Sequence, residues 1–363
     1  MKKNNTLLTI LLLPLSFLYG IVVSFRNLLF DTGILASREF GLPVISVGNI
    51  TVGGTGKTPH VEYIISLLKD EFKIAVLSRG YKRRSSGFII VSPSSLPENT
   101  GDEPLQIKKK FPSVEVAVSE SRVKGIDKIL AQNNEIQAIV LDDAFQHRWV
   151  RPGISILLID HNRPLKSDRL LPAGSLRERA SAITRAVIIL VTKCPPDISP
   201  IDRRVITKDL GLFPWQSLYF TTQEYGEPVP VFKNSRPFPK SKKLLKVLMV
   251  TGIATPGILK SHLLENFQSV EQLDFPDHHN FTAKDIKKIE KVFNSIEKKQ
   301  KVIITTEKDA VRFSAITGIP NEIKARMFFI PLWIRFIEKD NKFNQQILNY
   351  VRKNKRDHIL SSR

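Results

Sequence analysis

The residues best suited to chemistry lie in the stretch ISVGNITVGGTGKTP, at positions 45–59. An apolar run there passes into glycines, and the backbone amides of such a loop bind anionic oxygens together with the dipole of a following helix. Lys57 would reach the β and γ phosphates of a nucleotide, and the Thr58 hydroxyl would bind Mg²⁺. Thr51 occupies the first glycine position of the strict phosphate-loop pattern, so the glycines that follow must supply positive φ angles. The predicted nucleotide ligands are Gly53, Gly54, Thr55, Gly56, Lys57 and Thr58.

A pair of acidic residues supplies the carboxylates that a nucleotide-bound metal requires. Asp142 and Asp143 end the apolar run in AIVLDDAFQHR. This string has the form of a Walker B segment, in which one of the two residues would contact Mg²⁺. Two aspartates after a strand are also common in plain turns. Their combination with the phosphate loop is what favours the metal site.

Two residues that are absent from the sequence bear on which nucleotide the chain binds and which class of ATPase it resembles. The string VTKCPP resembles the [NT]-K-x-D segment that reads guanine, but Pro195 stands where the aspartate belongs. Val52 stands where membrane-associated dimeric ATPases of the partitioning type carry a signature lysine. The sequence therefore favours ATP over GTP and disfavours that class of ATPase.

Several polar residues follow other predicted strands. Ligands of open α/β sheets bind at the carboxyl ends of the strands, so these residues are candidates for substrate contacts. They are Arg79, Tyr81, Asp102, Arg122, Gln146, His147 and Arg177.

Asp102 is the strongest candidate for a base among them. It lies in the string GDEP, where its carboxylate could accept the proton of a hydroxyl that receives a phosphoryl group. A turn or helix-cap aspartate has the same setting. His278 and His279, in FPDHHNF, could reach Asp102 if a cleft closes between two domains. A histidine pair also suggests a metal, but no third ligand stands at suitable spacing.

The order of apolar runs predicts an α/β fold with two domains. Short apolar strands alternate with helical stretches from position 42 to 193, as in the βαβ units of a parallel sheet. The proline-rich, basic stretch at 225–243 predicts a linker or an edge hairpin. We predict a membrane-associated helix at 1–34, a P-loop kinase domain at 35–224, and a second, smaller α/β domain at 244–363. The run MFFIPLWI, at 327–334, is a candidate for a return to the first domain.

The composition limits the compartment and the partners. The chain has 363 residues, one cysteine (Cys194), and 55 basic against 35 acidic residues, for a net charge of +20. One cysteine excludes an intramolecular disulfide and a multi-cysteine metal site, which fits a reducing compartment. The dispersed positive charge suits an anionic membrane surface or a phosphorylated substrate as well as nucleic acid. No recognisable aromatic and basic nucleic-acid motif accompanies it, so we expect no nucleic-acid partner.

The N-terminal segment is unusually apolar. No charged residue stands between Lys3 and Arg26, and on a helical wheel a narrow polar stripe faces a wide apolar surface. No convincing cleavage site follows, which disfavours a signal peptide, whereas a transmembrane span and a buried core helix stay open. We expect a helix that lies shallow or partly inserted in a membrane, with a kink or a break at Pro14. The stripe comprises Asn5, Thr6, Thr9, Ser16, Gly20, Ser24, Asn27 and Asp31.

Eight strings in series resemble the tetraacyldisaccharide 4′-kinases, which phosphorylate the lipid A precursor at the inner membrane of Gram-negative bacteria. They cover almost the whole chain. Ala144 and Ser175 depart from the glycine and proline of that pattern, and neither departure removes a functional group. In order, the strings are GNITVGGTGKTP, LSRGY, GDEP, LDDAFQHR, LLPAGSLRE, GIATP, FPDHHNFT and TTEKDAVR.

The resemblance implies transfer of the γ-phosphoryl group of ATP, with Mg²⁺, to the 4′-hydroxyl of a tetraacylated disaccharide 1-phosphate. Two α/β/α lobes, a small β linker and an N-terminal membrane helix are implied. The implied location is the cytoplasmic face of the inner membrane. The implied partners are the acylated lipid substrate and the membrane surface, without an obligate protein partner.

The resemblance also implies roles for individual residues. Asp102 and His278 would form the catalytic pair, and Lys57 would neutralise charge on the departing phosphoryl group. Asp142 and Asp143 would bind the metal. Further contacts to substrate or nucleotide would come from Arg79, Tyr81, Arg122, His147 and Arg177.

The residues leave two other functions open. A P-loop kinase or ATPase acting on another membrane-bound acceptor would share most of these features. A nucleotide-regulated binding module without turnover would share the loop and the basic charge. Which histidine acts, which aspartate contacts the metal directly, the acyl-chain specificity, the depth of helix insertion and the oligomeric state also stay open.

Overall fold

The chain folds into two lobes, each built on a mainly parallel β-sheet. The computed structural model describes residues 6–233, 235–239, 241–297 and 300–361. The strands are β1 (Val44–Asn49), β2 (Ile74–Ser78), β3 (Ile89–Ile90), β4 (Glu115–Val118), β5 (Ala138–Asp142), β6 (Ile154–Asp160), β7 (Ile188–Thr192), β8 (Ser217–Tyr225), β9 (Val229–Pro230), β10 (Lys246–Thr251), β11 (Ser269–Asp274), β12 (Lys301–Thr306), β13 (Met327–Ile330) and β14 (Leu332–Phe336).

Helices cover both faces of these sheets. The helices are α1 (Thr6–Asp31), α2 (Lys57–Leu68), α3 (Pro97–Thr100), α4 (Asp102–Lys110), α5 (Arg122–Gln132), α6 (Pro200–Leu210), α7 (Gly257–Asn266), α8 (Ala283–Ser295), α9 (Glu307–Phe313), α10 (Asn321–Ala325) and α11 (Lys342–Ser361). Helices α2, α4 and α11 pack on one face of the larger sheet, and α5 packs on the other. In the smaller sheet, α7 and α8 take opposite faces.

The larger sheet has nine strands in the order β14-β8-β7-β6-β1-β5-β2-β4-β3. All neighbours from β8 to β4 are parallel, whereas the edge strands β3 and β14 are antiparallel to theirs. Strands β1, β2, β5, β6 and β7 are buried along their whole length. Near-continuous runs of Val, Ile and Leu fit strands covered on both faces. The predicted α/β class with a parallel core is confirmed.

The smaller sheet has the order β11-β10-β12-β13-β9. Its pairs are parallel except for that between β13 and β9. The short strand β9 lies in the proline-rich stretch after β8 and forms the edge of this sheet. Proline is acceptable there because an edge strand has one side without ladder hydrogen bonds.

The chain passes between the two sheets twice, and the two passages lie side by side. The first passage runs from β8 to β9, and the second runs from β13 to β14 with only Pro331 between the strands. The Gly226 amide donates to the Pro331 carbonyl at 2.9 Å. We call residues 226–331 the second lobe and the remaining described residues the first lobe. Helix α11 packs on the first lobe through Ile347 and Val351.

Helix α1 packs on the first lobe through residues of its narrow polar stripe, of which Asn5 lies outside the described residues. Ser16 is buried, and its hydroxyl donates to the Leu170 carbonyl at 3.0 Å and accepts from the Ala173 amide at 2.8 Å. The Asn27 side chain donates to Glu178 at 2.9 Å. The exposed apolar residues of α1 include Leu11, Phe17, Leu18, Val22, Phe25 and Leu28.

This orientation reverses that of a soluble amphipathic helix, which turns its apolar face inward. Within the described ranges, α1 is the one helix whose length and composition would allow it to cross a membrane. It is continuous through Pro14, so the expected alternative of a break is wrong, whereas the alternative of a kink stays a prediction. An exposed apolar surface of this kind marks a contact with lipid or with another protein.

Serine substitutions on the exposed face test whether it contacts lipid. We expect the triple variant Phe17→Ser, Val22→Ser, Phe25→Ser to bind anionic liposomes roughly tenfold or more weakly. Each replaced side chain contributes about 1.5–3 kcal/mol when buried in an apolar medium. Its thermal unfolding midpoint should stay close to that of the unaltered chain, because these side chains make few contacts within the protein.

The measurements are liposome co-sedimentation and thermal unfolding. Ile201→Ser is the matched control, because Ile201 is 72% exposed on α6. Equal liposome binding by the triple variant and this control would contradict the assignment of the α1 face.

Candidate active site

The predicted nucleotide loop joins β1 to α2 at the carboxyl edge of the larger sheet. Gly53 and Gly56 have φ angles of 108° and 87°, in the left-handed region that residues with a Cβ avoid. Gly56 is the N-cap of α2, which begins at Lys57. Thr51 instead forms an antiparallel bridge with Leu176 and has no positive φ. A threonine is therefore acceptable in place of the first glycine.

Two acceptors hold the lysine of this loop. Lys57 Nζ lies 3.4 Å from Asn49 Oδ1 and 3.6 Å from Asp143 Oδ1. Asn49 is fully buried at the end of β1, and its amide donates to Thr55 Oγ1 at 2.8 Å. Thr58, the second residue of α2, is half-buried. The ammonium group is thus oriented between the phosphate loop and the acidic pair.

The acidic pair that ends β5 contains a carboxylate oxygen without a partner. Asp142 is 4% exposed, and its Oδ2 accepts from Ser78 Oγ at 3.1 Å. Its buried Oδ1 has no hydrogen-bond donor within the described part of the chain. Burial and the charge of Asp143 raise the pKa of Asp142 to about 6. A cation would stabilise such a carboxylate, so the pair fits Mg²⁺, which takes oxygen ligands.

Asp143 has a different electrostatic environment from its neighbour. Burial opposes its ionisation, but the positive charges of Lys57 and Arg177 hold the pKa of Asp143 below its usual range. Arg177 NH1 lies 3.2 and 3.3 Å from the two carboxylate oxygens. The carbonyl of Arg177 accepts the Tyr19 hydroxyl of α1 at 2.9 Å. Helix α1 therefore contacts the segment that holds Asp143.

Arg122 is buried behind the acidic pair. It is 1% exposed, and its guanidinium donates to the carbonyls of Ser119 at 2.8 Å and Asp142 at 3.2 Å. Burial lowers the pKa of Arg122 to about 10. These contacts orient the loop that carries the two aspartates. The predicted contact between Arg122 and a substrate stays a prediction.

Asp102 and His278 come together from different lobes. Asp102 begins α4 in the first lobe, and His278 lies in the loop after β11 in the second. Asp102 Oδ2 lies 3.2 Å from His278 Nδ1 and 2.5 Å from Arg312 NH2. Burial opposes the ionisation of Asp102, but these hydrogen bonds and the charges of Arg312 and Lys308 hold its pKa well below its usual range. The carboxylate is therefore ionised at neutral pH.

Lys308 determines which nitrogen of His278 carries the hydrogen. Lys308 Nζ lies 3.0 Å from His278 Nε2 and 2.8 Å from Glu103 Oε1. An ammonium group only donates hydrogen bonds, so Nε2 accepts, and Nδ1 carries the hydrogen that it donates to Asp102. Ligand atoms of Asp102, Glu103 and His278 lie within 4.8 Å of one another, and the Lys308 ammonium supplies a cation to this group.

The second histidine of the pair points to a different partner. His279 Nε2 lies 3.0 Å from Asp285 Oδ2, and its ring stacks on Phe275 with centroids 4.9 Å apart. The described structure therefore brings His278, and not His279, to Asp102.

The loop after β2 lies beside Asp102. Tyr81 is 57% exposed, and its ring lies edge-on to His278 with centroids 5.2 Å apart. Arg79 is exposed on the same loop. Gly80 and Gly101 let the two loops approach, because a Cβ on Gly101 would stand 3.2 Å from the Gly80 Cα. Tyr81 therefore lies beside the Asp102–His278 pair, and the predicted substrate contacts of Arg79 and Tyr81 stay predictions.

His147 lies near the arginine behind the acidic pair. Its Nε2 lies 3.1 Å from the Glu120 carbonyl. Burial and the charge of Arg122 lower the pKa of His147. The predicted substrate contact of His147 stays a prediction.

The two clusters meet through the first lobe, to which every residue of both belongs except His278 of the second lobe. Lys57, Asp142 and Asp143 form the nucleotide side, and Asp102 with His278 forms the other. Glu103 links them, since its charge contributes to the raised pKa of Asp142. The arrangement can hold a nucleotide phosphate beside an ionised carboxylate, which is the requirement for phosphoryl transfer to a hydroxyl.

Sequence reasoning missed four residues of this site. They are Asn49, Glu103, Lys308 and Arg312. Each stands in a string quoted above. The contacts of Glu103, Lys308 and Arg312 join residues of different strings, and the contact of Asn49 with Lys57 depends on how the loop folds back on the end of β1.

Comparisons with known proteins agree over almost the full length. The family model described as tetraacyldisaccharide-1-P 4′-kinase matches residues 8–352. A tetraacyldisaccharide 4′-kinase of Bacteroides thetaiotaomicron is 46% identical over 97% of this chain and 96% of its own length. One of Phocaeicola vulgatus is 47% identical over 96% of this chain and 97% of its own. The crystal structure of LpxK from Aquifex aeolicus in complex with ATP superposes with a TM-score of 0.74 at 30% identity, covering 95% of this chain and 99% of that one.

Alanine at position 101 tests whether the contact between the two glycine loops positions Asp102. Gly101 has a φ of 88°, so a Cβ adds backbone strain of about 1–3 kcal/mol as well as the close contact with Gly80. We expect Gly101→Ala to lower turnover roughly tenfold or more, since a displacement of about 1 Å at a reacting group can cost about a hundredfold. ATP affinity, measured by calorimetry, should change little.

Gly87→Ala is the matched control for strain alone. Gly87 has a φ of 79°, and a Cβ there would meet nothing within 4 Å. Equal losses of turnover in the two variants would contradict a positioning role for the Gly80–Gly101 contact.

Proposed function

The chain belongs to the tetraacyldisaccharide-1-P 4′-kinase family, and we propose that it works through two residue clusters, the nucleotide side with Lys57, Asp142 and Asp143 and the acceptor side with Asp102 and His278. It is an ATP-dependent kinase that transfers the γ-phosphoryl group to the 4′-hydroxyl of a tetraacyldisaccharide 1-phosphate in lipid A biosynthesis. The observation that carries the proposed chemistry is the contact of 3.2 Å between Asp102 Oδ2 and His278 Nδ1. This contact joins an ionised carboxylate to the second lobe beside the nucleotide loop.

On the donor side, the loop amides and Lys57 bind the ATP phosphates and neutralise charge as the γ-phosphoryl group leaves. Thr58, Asp142 and Asp143 would hold Mg²⁺, and the unpartnered Oδ1 of Asp142 supports this assignment. A bound Mg²⁺ supplies positive charge to the phosphate oxygens. Arg122 keeps the two aspartates in place from behind, and Arg177 pairs with Asp143.

On the acceptor side, Asp102 receives the hydrogen bond of the 4′-hydroxyl and then its proton. Because the pKa of Asp102 is held low, it is a weak base before the reaction. This suits a transition state with little bond formation to the attacking oxygen, in which the hydroxyl becomes strongly acidic only late. His278 orients the carboxylate through its Nδ1 hydrogen.

The lipid substrate accounts for the position of α1. The exposed apolar face of the helix would rest in the bilayer, and its contacts through Tyr19 with the Arg177 segment would keep the cleft at the membrane surface. Tyr81 lies beside His278 on the acceptor side, and Tyr81 and the exposed Arg79 would contact the phosphorylated sugar. The kinase would work on the cytoplasmic face of the inner membrane, where ATP is present.

The two histidines provide a matched test of the acceptor side. We expect Asp102→Asn to lower kcat by about 10²- to 10⁴-fold, the usual range for loss of a general base. His278→Ala should lower kcat roughly tenfold or more, because Asp102 loses one of its two orienting donors. ATP affinity should stay within about twofold in both variants, since neither residue contacts the phosphate loop.

His279→Ala should behave like the unaltered enzyme in steady-state assays, since His279 is paired with Asp285. Turnover near that of the unaltered enzyme in both Asp102→Asn and His278→Ala would remove the proposed pair.

Product analysis tests the reaction itself. Incubation with γ-labelled ATP and tetraacyldisaccharide 1-phosphate should place the label on the 4′-oxygen, as read by NMR of the product. Chelation of Mg²⁺ should stop the transfer, and Asp142→Asn should raise the half-saturating Mg²⁺ concentration about tenfold or more. Phosphate on another hydroxyl, or an Mg²⁺ requirement unchanged by Asp142→Asn, would refute the corresponding assignment.

A further inference from the structure

Helix α9 of the second lobe packs against α4 of the first lobe, and α4 begins at Asp102. Four contacts between charged or polar groups join α4 to α9 and its C-cap residue, Ser314. They are Asp102–Arg312, Glu103–Lys308, Lys110–Glu307 and Lys109–Ser314. The carboxylate proposed as the base is thus one member of an interface between the lobes.

Arg312 is held firmly by its own lobe. Its side chain is 4% exposed, and NH1 lies 2.7 Å from Asp309 Oδ1 and 3.5 Å from the Gly252 carbonyl. Asp309 is itself fully buried, and its Oδ2 accepts from the Gly252 amide at 2.9 Å and from Thr306 Oγ1 at 2.8 Å. A guanidinium has a rigid fork of donors. With one arm fixed on Asp309, the other arm has a set direction toward Asp102.

The two oxygens of Asp102 have different surroundings. Oδ2 accepts from both Arg312 NH2, at 2.5 Å, and His278 Nδ1, at 3.2 Å. Both donors to Oδ2, Arg312 and His278, belong to the second lobe. No residue in the ranges that the structure describes donates a hydrogen bond to Oδ1. Oδ1 is therefore the oxygen left to accept the hydrogen of a substrate hydroxyl.

We propose that Arg312 is a positioning residue of the kinase: it fixes Oδ2 of Asp102 from the second lobe, so that Oδ1 is presented to the acceptor hydroxyl only when the lobes are docked. This proposal rests on the proposed role of Asp102 as the base. The proton goes from the 4′-hydroxyl to Asp102 Oδ1 as the bond from the 4′-oxygen to phosphorus forms and the bond to the ADP oxygen breaks. Arg312 keeps its proton throughout.

If Arg312 only held the lobes together, its removal would affect Asp102 no more than the removal of another contact between the lobes. The other three contacts between α4 and α9 would still hold the lobes together without it. The charged groups that face Asp102 are Arg312 and Lys308 on α9, His278 in the loop after β11, and Glu103 on its own helix. Arg312 is the cation in direct contact with the carboxylate, so its removal should change the ionisation of Asp102 more than the removal of another lobe contact.

The test uses Arg312→Met and Arg312→Lys in the full-length enzyme, with kcat and kcat/KM measured from about pH 3 to pH 9, because the limb due to a carboxylate with a low pKa lies on the acid side of this range. For Arg312→Met we expect kcat to fall about 10- to 100-fold at neutral pH, because the carboxylate is misplaced, with the KM for ATP within about twofold. Loss of the cation destabilises the charged carboxylate and raises the pKa of Asp102. The pH profile of kcat has an acid limb, where protonation of Asp102 abolishes activity. In Arg312→Met the midpoint of this limb should lie about 1–3 pH units higher than in the unaltered enzyme.

Arg312→Lys separates charge from geometry. It keeps the positive charge, so the acid limb should stay near its original position. A single ammonium cannot hold Asp309 and Asp102 with the geometry of a guanidinium, so kcat should still fall. This variant also keeps the test valid if Arg312→Met does not fold, since it leaves the buried Asp309 with a cation.

Lys109→Ala is the matched control, because Lys109 joins the same two helices through Ser314 without contacting Asp102. Its pH profile should match that of the unaltered enzyme. In an Asp102→Asn background, Arg312→Met should cost less than about twofold more in kcat, because the two residues act through one carboxylate.

Three results would overturn the proposal. One is an unchanged kcat and acid limb in both Arg312 variants, or in Arg312→Lys if Arg312→Met does not fold. The second is an equal shift of the limb in Lys109→Ala. The third is a full additional loss for Arg312→Met in the Asp102→Asn background. By contrast, unaltered turnover of Asp102→Asn alone would contradict the role of Asp102 as the base. Failure of the proposed function is therefore distinguishable from failure of this inference.

Discussion

The arrangement of the site depends on a carboxylate in one lobe that is neutralised by cations from the other. Burial alone would oppose the ionisation of Asp102, and Arg312 and Lys308 of α9 supply the compensating charge. Separation of the lobes would leave Arg312 without one of its partners. Breaking a buried ion pair is costly, because it leaves an uncompensated charge. The docked arrangement of the lobes and the ionisation of Asp102 are therefore stabilised by the same contacts.

The N-terminal helix α1 contacts two segments of the nucleotide side. Tyr19 donates to the Arg177 carbonyl at 2.9 Å, and Arg26 donates to the Gln146 carbonyl at 2.5 Å. Both segments lie near Asp143. Arg177 NH1 lies 3.2 Å from the Asp143 carboxylate and 3.5 Å from Gln146 Oε1. Helix α1 therefore supports the segments beside Asp143, and its apolar face points outward.

The sequence predicted the α/β class and the parallel core correctly, because buried strands and their turns leave a local record in apolar runs and glycines. Individual side chains were harder to assign. An arginine at position 122 looks the same in the sequence whether it is exposed or buried, and only the structure shows its burial and its contacts with the carbonyls of Ser119 and Asp142. His278 and His279 share one string, and their different partners follow from backbone directions that neighbouring residues do not encode.

By itself the sequence predicted a nucleotide site from its phosphate loop, and its resemblance to a family of kinases implied an acylated disaccharide as the substrate. It also determined that the first helix has one narrow polar stripe. Only the tertiary structure decided that this stripe faces inward, that His278 meets Asp102, and that Arg312 binds the same carboxylate oxygen. The physical reason is that each of these contacts joins residues more than 100 positions apart, and packing between elements, which no local pattern records, brings them together.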